Sequence, residues 1–272
     1  MTDSTKYHSK LANARVLIIG GTSGIGFGSA EITLEHAPTS TVLLSSSVQS
    51  KIDNAISRLE KSYPSAVGRV HGKTVDLSND ETMESQISEL LQWATSNGTK
   101  QLDHLIFTAG DSVDIRPLAE NTLAQVKRSG NVRYFAPLMF ATAIAKHNFM
   151  NISTQSSFTI TSGVSGVRPI PHWAVYCGYL AGLQGLTRSL ALDMKPIRVN
   201  LITPGPVETE MWDGFPVEQR KVVMDSLERS TATGKVGRVE DLAESYLHCM
   251  RDANMTGSWI NSDGGTLLLG PY

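Results

Sequence analysis

Short apolar runs alternate along the chain with stretches in which apolar residues return every three or four positions. The runs predict strands at 15–19 (RVLII), 41–44 (TVLL), 68–77, 102–108 (LDHLIFT), 157–161, 197–202 and 258–260. The stretches between them predict helices up to about residue 36, around 50–62, and over 80–97, 122–150, 173–194 and 240–251. Within 80–97, Met83, Ile87, Leu90, Leu91 and Trp93 fall on one side, as a half-buried helix requires. Strand and helix alternating at this spacing imply parallel strands joined by right-handed crossovers. Runs as continuously apolar as VLII and HLIF suit a sheet covered on both faces. The expected fold class is α/β: a doubly wound parallel sheet of about seven strands with helices on both faces, in a single domain. One stretch, 204–239, is longer than a usual connection and holds Met211, Trp212, Phe215 and an expected short helix at 216–227. It reads as a substrate lid over about 206–236 or as a surface excursion.

Composition narrows the class further. The chain has 272 residues, 40% of them hydrophobic and 18% charged, which suits a globular protein and not a disordered one. Lys and Arg total 24 against 26 Asp and Glu, so no nucleic-acid or membrane-surface partner is implied. Cys177 and Cys249 make no disulfide framework. No apolar run approaches the roughly 18 residues of a membrane helix, and the N-terminus is polar without a signal-peptide core. A soluble cytoplasmic protein that uses no metal is expected.

The first strand runs into Gly20-Gly21-Thr22-Ser23-Gly24-Ile25-Gly26-Phe27-Gly28. A glycine turn between a strand and a helix lets backbone approach a pyrophosphate, and the helix N-terminus supplies unpaired N–H groups and partial positive charge. The spacing G-x-x-x-G-x-G is not the G-x-G-x-x-G fingerprint, and the turn lacks the Lys of an NTPase loop. The second strand ends in Ser45-Ser46-Ser47, with no Asp or Glu between Glu35 and Asp53. A carboxylate there would repel a 2′-phosphate, whereas hydroxyls donate to one, so NADP(H) is the expected cofactor. Ser23 and Lys51 are candidates to assist. The serines also suit a cap on the next helix, and the two roles are compatible.

With these features the sequence resembles the short-chain dehydrogenase/reductase family over nearly its whole length. The family's Thr-Gly-x-x-x-Gly-x-Gly turn appears with Ile19 in the Thr place. Asp76, followed by Leu77, matches the acidic residue that contacts adenine. Phe107-Thr108-Ala109-Gly110 stands for Asn-Asn-Ala-Gly, and Pro204-Gly205, with Val207 and Thr209, for the Pro-Gly segment after the sixth strand. Arg198-Val199-Asn200 and Asp263-Gly264-Gly265 also fit. The resemblance implies a Rossmann-type sheet and a cofactor held by Gly20, Thr22, Ser23, Gly24, Ile25, Gly26, the serine run and these later segments. It also implies a homo-oligomer, dimer or tetramer, formed through the helices at 122–150 and 173–194. Their Leu138, Phe140, Ile144, Leu183, Leu186 and Leu190 are the expected contact surface.

The family's catalytic set is Asn, Ser, Tyr and Lys. Asn131 matches the Asn and Tyr176 the Tyr. Thirteen residues before Tyr176 stands Gly163 in place of Ser, and four residues after it stands Leu180 in place of Lys. In the family Tyr donates the proton, Ser hydrogen-bonds the carbonyl, and Lys lowers the Tyr pKa from about 10. Losing one oxyanion donor typically costs about 10²–10³ in rate. Ser162 is a poor replacement, since adjacent strand residues face opposite sides. Ser165 has better parity but lies in the loop.

Other residues gather near the same place in sequence. Pro169-Ile170-Pro171-His172-Trp173 precedes the Tyr176 helix, and Arg133 lies two residues after Asn131. These features resemble a fungal subgroup of the family found in specialised-metabolite pathways. It includes NADPH-dependent reductases that also guide a Diels–Alder cyclisation of indole alkaloids. Its loop reads Pro-Asp-Pro-Gly-Trp; here Ile170 stands in the Asp place and His172 in the Gly place. Tyr176, Asn131, Arg133 and Trp173 are the expected catalytic residues. The functional expectation is an NADPH-dependent reductase acting on an activated C=N, C=C or C=O group of a bulky metabolite. The alternatives are a redox-neutral cyclase or isomerase that uses the fold as a pocket, and a non-enzymatic nucleotide-binding protein.

Overall fold

The computed structural model describes residues 6, 7, 9–210 and 216–269. Seven parallel strands form one sheet: β1 (Arg15–Ile19), β2 (Thr41–Ser46), β3 (Val70–Thr74), β4 (His104–Phe107), β5 (Ser157–Thr161), β6 (Arg198–Pro204) and, last in the sheet, β9 (Trp259–Ser262). Their order is β3-β2-β1-β4-β5-β6-β9, so the crossover direction reverses between β1 and β4. In an open parallel sheet a crevice forms at that reversal, outside the carboxyl ends of the strands.

Alternation along each strand divides the core. Leu17, Ile19, Leu105 and Phe107 face one layer and Val16, Ile18, Val42 and Leu44 the other. The first layer is covered by α3 (Met83–Ala94), α5 (Ala136–Lys146) and α6 (Ala174–Asp193). The second is covered by α1 (Gly24–His36), α2 (Gln49–Ser62) and α8 (Val239–Arg251). The doubly wound sheet read from the sequence is thus observed.

Two elements differ from the sequence expectation. The region 122–150 is three pieces: α4 (Leu123–Gly130), a π turn at Asn131–Phe135, and α5. Thr122 and Gln125 form a reciprocal capping box that starts α4. The Ala136 amide reaches back to the Asn131 carbonyl, five residues away, ahead of Pro137, which has no N–H to continue an ordinary register. The third strand stops at Thr74, and the Val75 amide makes a last bond to the Ser46 carbonyl at 3.0 Å.

The long excursion after β6 is bounded by β7 (Val207–Glu208) and β8 (Gly237–Arg238), a two-residue parallel ladder that sequence reading missed. Two residues are too few to carry a periodic signal. Between them α7 (Val217–Arg229) is longer than the helix expected at 216–227 and is tied back by Arg220 on Glu208 at 3.2 Å. Met211, Trp212 and Phe215 lie outside the described residues.

Phe140, Ile144, Leu183 and Leu190 are buried in the chain's own core, which corrects their expected place on an oligomer surface. Helices packed over a sheet turn their apolar stripe inward, and the sequence stripe does not say against what. Leu138 and Leu186 remain half-buried.

Candidate active site

The chain turns sharply where β1 ends. Gly20 has φ +84°, and the Gly20 and Gly21 amides both donate to the Ser45 carbonyl at 2.9 and 3.2 Å. A Cβ on Gly26 would sit 2.2 Å from the Gly20 carbonyl oxygen and 2.5 Å from Thr108 Oγ1. Only glycine permits α1 to start this close to the ends of β1 and β4. Ser23 is the N-cap of α1, yet its hydroxyl makes no cap bond. The Ile25 and Gly26 amides, in the first helical turn, have no intrahelical acceptor by geometry. The Gly24 amide donates to Glu210 Oε2 at 2.8 Å, and Glu210 lies 3.8 Å from Arg58. A carboxylate at these amides shows that they attract an anion. Backbone that leaves no room for a Cβ, an uncapped serine and free first-turn amides fit the pyrophosphate of a dinucleotide.

The structure sorts the remaining expected cofactor residues. Ser45 is fully buried and its hydroxyl has no partner among the described residues, while its carbonyl serves the turn. Strand alternation turns it inward. Ser46 is half-buried and Ser47 exposed, and Lys51 is exposed in the first turn of α2. Thr22 is buried within the turn. Asp76 is exposed, and two hydrogen bonds from Ser78 hold its carboxyl below the usual carboxylate range; Leu77 is buried behind it. The Thr108 hydroxyl donates to the Ile19 carbonyl at 2.9 Å, so its side chain shapes the turn. Ala109 backs Gly20, and Gly110 leaves space for Arg133, whose Nη1 would lie 2.3 Å from a Cβ there. Gly205 after Pro204 lies so close to Asp263 that a Cβ would sit 2.5 Å from its carbonyl oxygen. Val207 is buried at the ladder, and the Thr209 side chain packs over Gly24.

Tyr176, Arg133 and Trp173 come together from separate elements. The Arg133 guanidinium lies 5.1 Å from the Tyr176 ring centre, and Trp173 meets the same ring edge-on at 5.2 Å. Arg133 Nη2 donates to the Asp111 carbonyl at 2.5 Å, and Nε lies 3.3 Å from Asp111 Oδ1. Sequence reading missed Asp111; its position just after the glycine of Phe107-Thr108-Ala109-Gly110 was the available signal. Burial pushes the Tyr176 hydroxyl above the usual phenol range, Arg133 pulls it down, and Asp111 and Cys177 push it up again. Trp173 ends a turn in which its amide donates to Ile170 at 3.1 Å and His172 carries φ +68°, a conformation unfavourable for a residue with a Cβ. Asn131 is 4% exposed and donates to the Ser78 carbonyl at 2.7 Å. Its amide is engaged as a strut between the π turn and the segment after β3.

Leu180 is 1% exposed and fills the position one turn after Tyr176 with packed hydrocarbon. Gly163 is extended, and a Cβ there would touch Leu180 Cδ1 at 3.4 Å and Ser165 Oγ at 4.0 Å. The Ser162 hydroxyl is engaged, donating to the Leu180 carbonyl at 3.0 Å. Among the described residues no group of acidic, His or Cys side chains has the arrangement of a metal site. No described helix is long and apolar enough to cross a membrane.

Residues 7–269 match the family model described as an SDR-like Rossmann domain. The short-chain dehydrogenase/reductase fsr5 of Gibberella fujikuroi is 40% identical over 269 residues, covering 98% of this chain and 100% of that protein. The short-chain dehydrogenase/reductase ucsE of an Acremonium species is 37% identical over 267 residues, covering 97% and 99%. The solved structure of the MalC reductase/Diels-Alderase from Malbranchea aurantiaca superposes with a TM-score of 0.90 at 35% identity, covering 97% of this chain and 100% of that one.

Proposed function

The chain belongs to the short-chain dehydrogenase/reductase family, and from that premise we propose an NADPH-dependent reductase acting on an activated C=N, C=C or C=O group of a bulky specialised metabolite. The observation that carries this reading is Leu180: a buried leucine stands where a cation would tune Tyr176, while the glycine turn keeps its close packing. The site binds cofactor but leaves its phenol unassisted. An iminium or a polarised conjugated acceptor already carries its electrophilic charge and needs little acid help.

Ser23 and the first-turn amides of α1 hold the pyrophosphate. Ser46, Ser47 and Lys51 would hold the 2′-phosphate, and Asp76 and Leu77 would hold the adenine. Gly110, Pro204, Gly205 and Thr209 would hold the nicotinamide end. When bound, NADPH supplies the hydride. The Tyr176 hydroxyl, kept protonated by burial, donates a hydrogen bond to the substrate. Arg133 and Trp173 orient the substrate, and exposed Ile170, in the turn that ends at Trp173, gives it an apolar rim. The 206–236 excursion, anchored at the β7–β8 ladder, serves as the lid.

A redox-neutral cyclisation is the second reading, favoured by the likeness to the MalC reductase/Diels-Alderase. An alkaloid substrate belongs with it. We further assign the protein to the cytoplasm and to a homo-oligomer. A groove of about 430 Å³ between α4 and α6, lined by Val126, Tyr134, Val175 and Tyr179, supports that assembly.

The test is incubation with NADPH and a panel of imines, enones and ketones, following cofactor absorbance and product mass. Stoichiometric NADPH loss with a product two hydrogens heavier supports reduction. Product of unchanged mass with no NADPH loss supports cyclisation.

A further inference from the structure

We propose that the Ser165 hydroxyl is a catalytic hydrogen-bond donor, placed two residues along the chain from the position where Gly163 has no side chain. This rests on the reductase reading of the same cleft.

Ser165 sits in the single 3₁₀ turn Val164–Gly166 that follows β5. The turn is pinned to α6 from both sides. Ser162 donates to the Leu180 carbonyl, and Gly166 packs so closely that a Cβ would lie 2.9 Å from the Ala181 amide nitrogen. The turn closes on itself through the Gly166 amide and the Gly163 carbonyl at 3.0 Å. Ser165 is therefore held rigidly against the stretch of α6 one turn beyond Tyr176. Residues 176 and 180 share a helix face. Leu180, one helical turn beyond Tyr176 on that face, touches the space beside Gly163, and Ser165 Oγ borders the same space.

The hydroxyl itself is the second observation. Ser165 is 7% exposed and its Oγ has no hydrogen-bond partner among the described residues. Buried hydroxyls in folded proteins are nearly always paired. The unpaired hydroxyls of Ser45, Ser156 and Thr187 are sealed from solvent, whereas Ser165 Oγ is not among those sealed atoms. It lies 4.0 Å from where a Cβ on Gly163 would be, within the reach of a short side chain at 163. A substrate oxygen or nitrogen entering beside Tyr176 completes its hydrogen bonding. Ser165 forms no covalent bond in this role. On a carbonyl acceptor it stabilises the negative charge growing on oxygen while hydride adds to carbon and a proton, from Tyr176 or water, ends on that oxygen.

The experiment uses the full chain, NADPH and 9,10-phenanthrenequinone as an activated dicarbonyl probe. Ser165→Ala is expected to lower kcat about a hundredfold. Quinone affinity, read by tryptophan quenching, should change less than threefold. The double variant Gly163→Ser/Ser165→Ala, which moves the hydroxyl back two residues, is expected to recover most of the loss, since the extended backbone at 163 has room for a side chain. Circular dichroism confirms folding of each variant. Ser165→Ala turning over within twofold of wild type overturns the proposal. So does a loss that the double variant fails to recover, or one matched by weaker quinone binding. Wild-type protein that oxidises no NADPH with the probe or with the panel of imines, enones and ketones refutes the reductase reading instead.

Discussion

The glycine turn and the Tyr176 cleft occupy the same edge of one sheet but answer to different constraints. At the turn, backbone meets backbone. Gly26 lies against Gly20, and Gly20 against Ala109, at separations that admit no Cβ. At the cleft, side chains meet side chains: Arg133 over Tyr176, Trp173 against its edge, Leu180 packed below. Contacts between backbones tolerate almost no substitution, whereas a cluster of side chains can exchange a serine for a glycine or a lysine for a leucine and remain well packed. A chain can therefore keep cofactor recognition while its chemistry changes.

The largest expected effect breaks the turn. Gly26→Ala forces a methyl into the Gly20 carbonyl and should weaken NADPH binding by roughly a hundredfold, about 3 kcal/mol. Titration of tryptophan fluorescence measures it, and unchanged affinity would remove the turn from the cofactor site. Leu180→Lys tests the cleft by the opposite move. It places an ammonium in packed hydrocarbon, so stability should fall by about 2–3 kcal/mol with no gain in turnover. A thermal melt near that of wild type together with faster turnover would mean that the cleft still accepts the family's tyrosine and lysine pairing.

Arg133→Ala and Trp173→Ala should each cost about tenfold to a hundredfold in kcat/KM, and Tyr176→Phe less. If Tyr176→Phe alone abolishes turnover, the cleft works as a conventional tyrosine-dependent site. Ser46→Asp should erode the preference for NADPH over NADH about tenfold, by setting a carboxylate near the 2′-phosphate. Equal affinities in the wild type would argue against a 2′-phosphate site. The smallest effect concerns Glu210, whose carboxylate competes for the Gly24 amide. Glu210→Gln should tighten NADPH binding several-fold at low ionic strength, an advantage that salt diminishes. Weaker binding would show that the carboxylate assists the cofactor.

Much of the sheet was legible because strand signals are local. RVLII and SFTIT read as strands with the boundaries later observed, the first as a nearly continuous apolar run and the second as an alternation of hydroxyl residues with Phe158 and Ile160. The glycine turn was legible for the same reason, with strand, glycines and helix contiguous. The π turn at Asn131–Phe135 was not, because one extra residue in a helix leaves its apolar spacing almost unaltered. Asp111, Glu210 and Ser165 were missed, or left in a loop, because each matters only through a partner distant in sequence: Arg133, Gly24 and the space beside Gly163.

From its order of residues alone this chain determined a parallel α/β sheet, a nucleotide-type turn and the absence of the usual serine and lysine around Tyr176. Those properties follow from local periodicity and spacing, which are set along the backbone. The tertiary structure alone decided that Ser45 and Thr108 support the turn from within, that Asn131 is a strut, and that Arg133, Tyr176 and Trp173 form one cluster. Each depends on which way a side chain points once distant strands and helices pack, and that direction is set by neighbours the linear sequence does not place side by side.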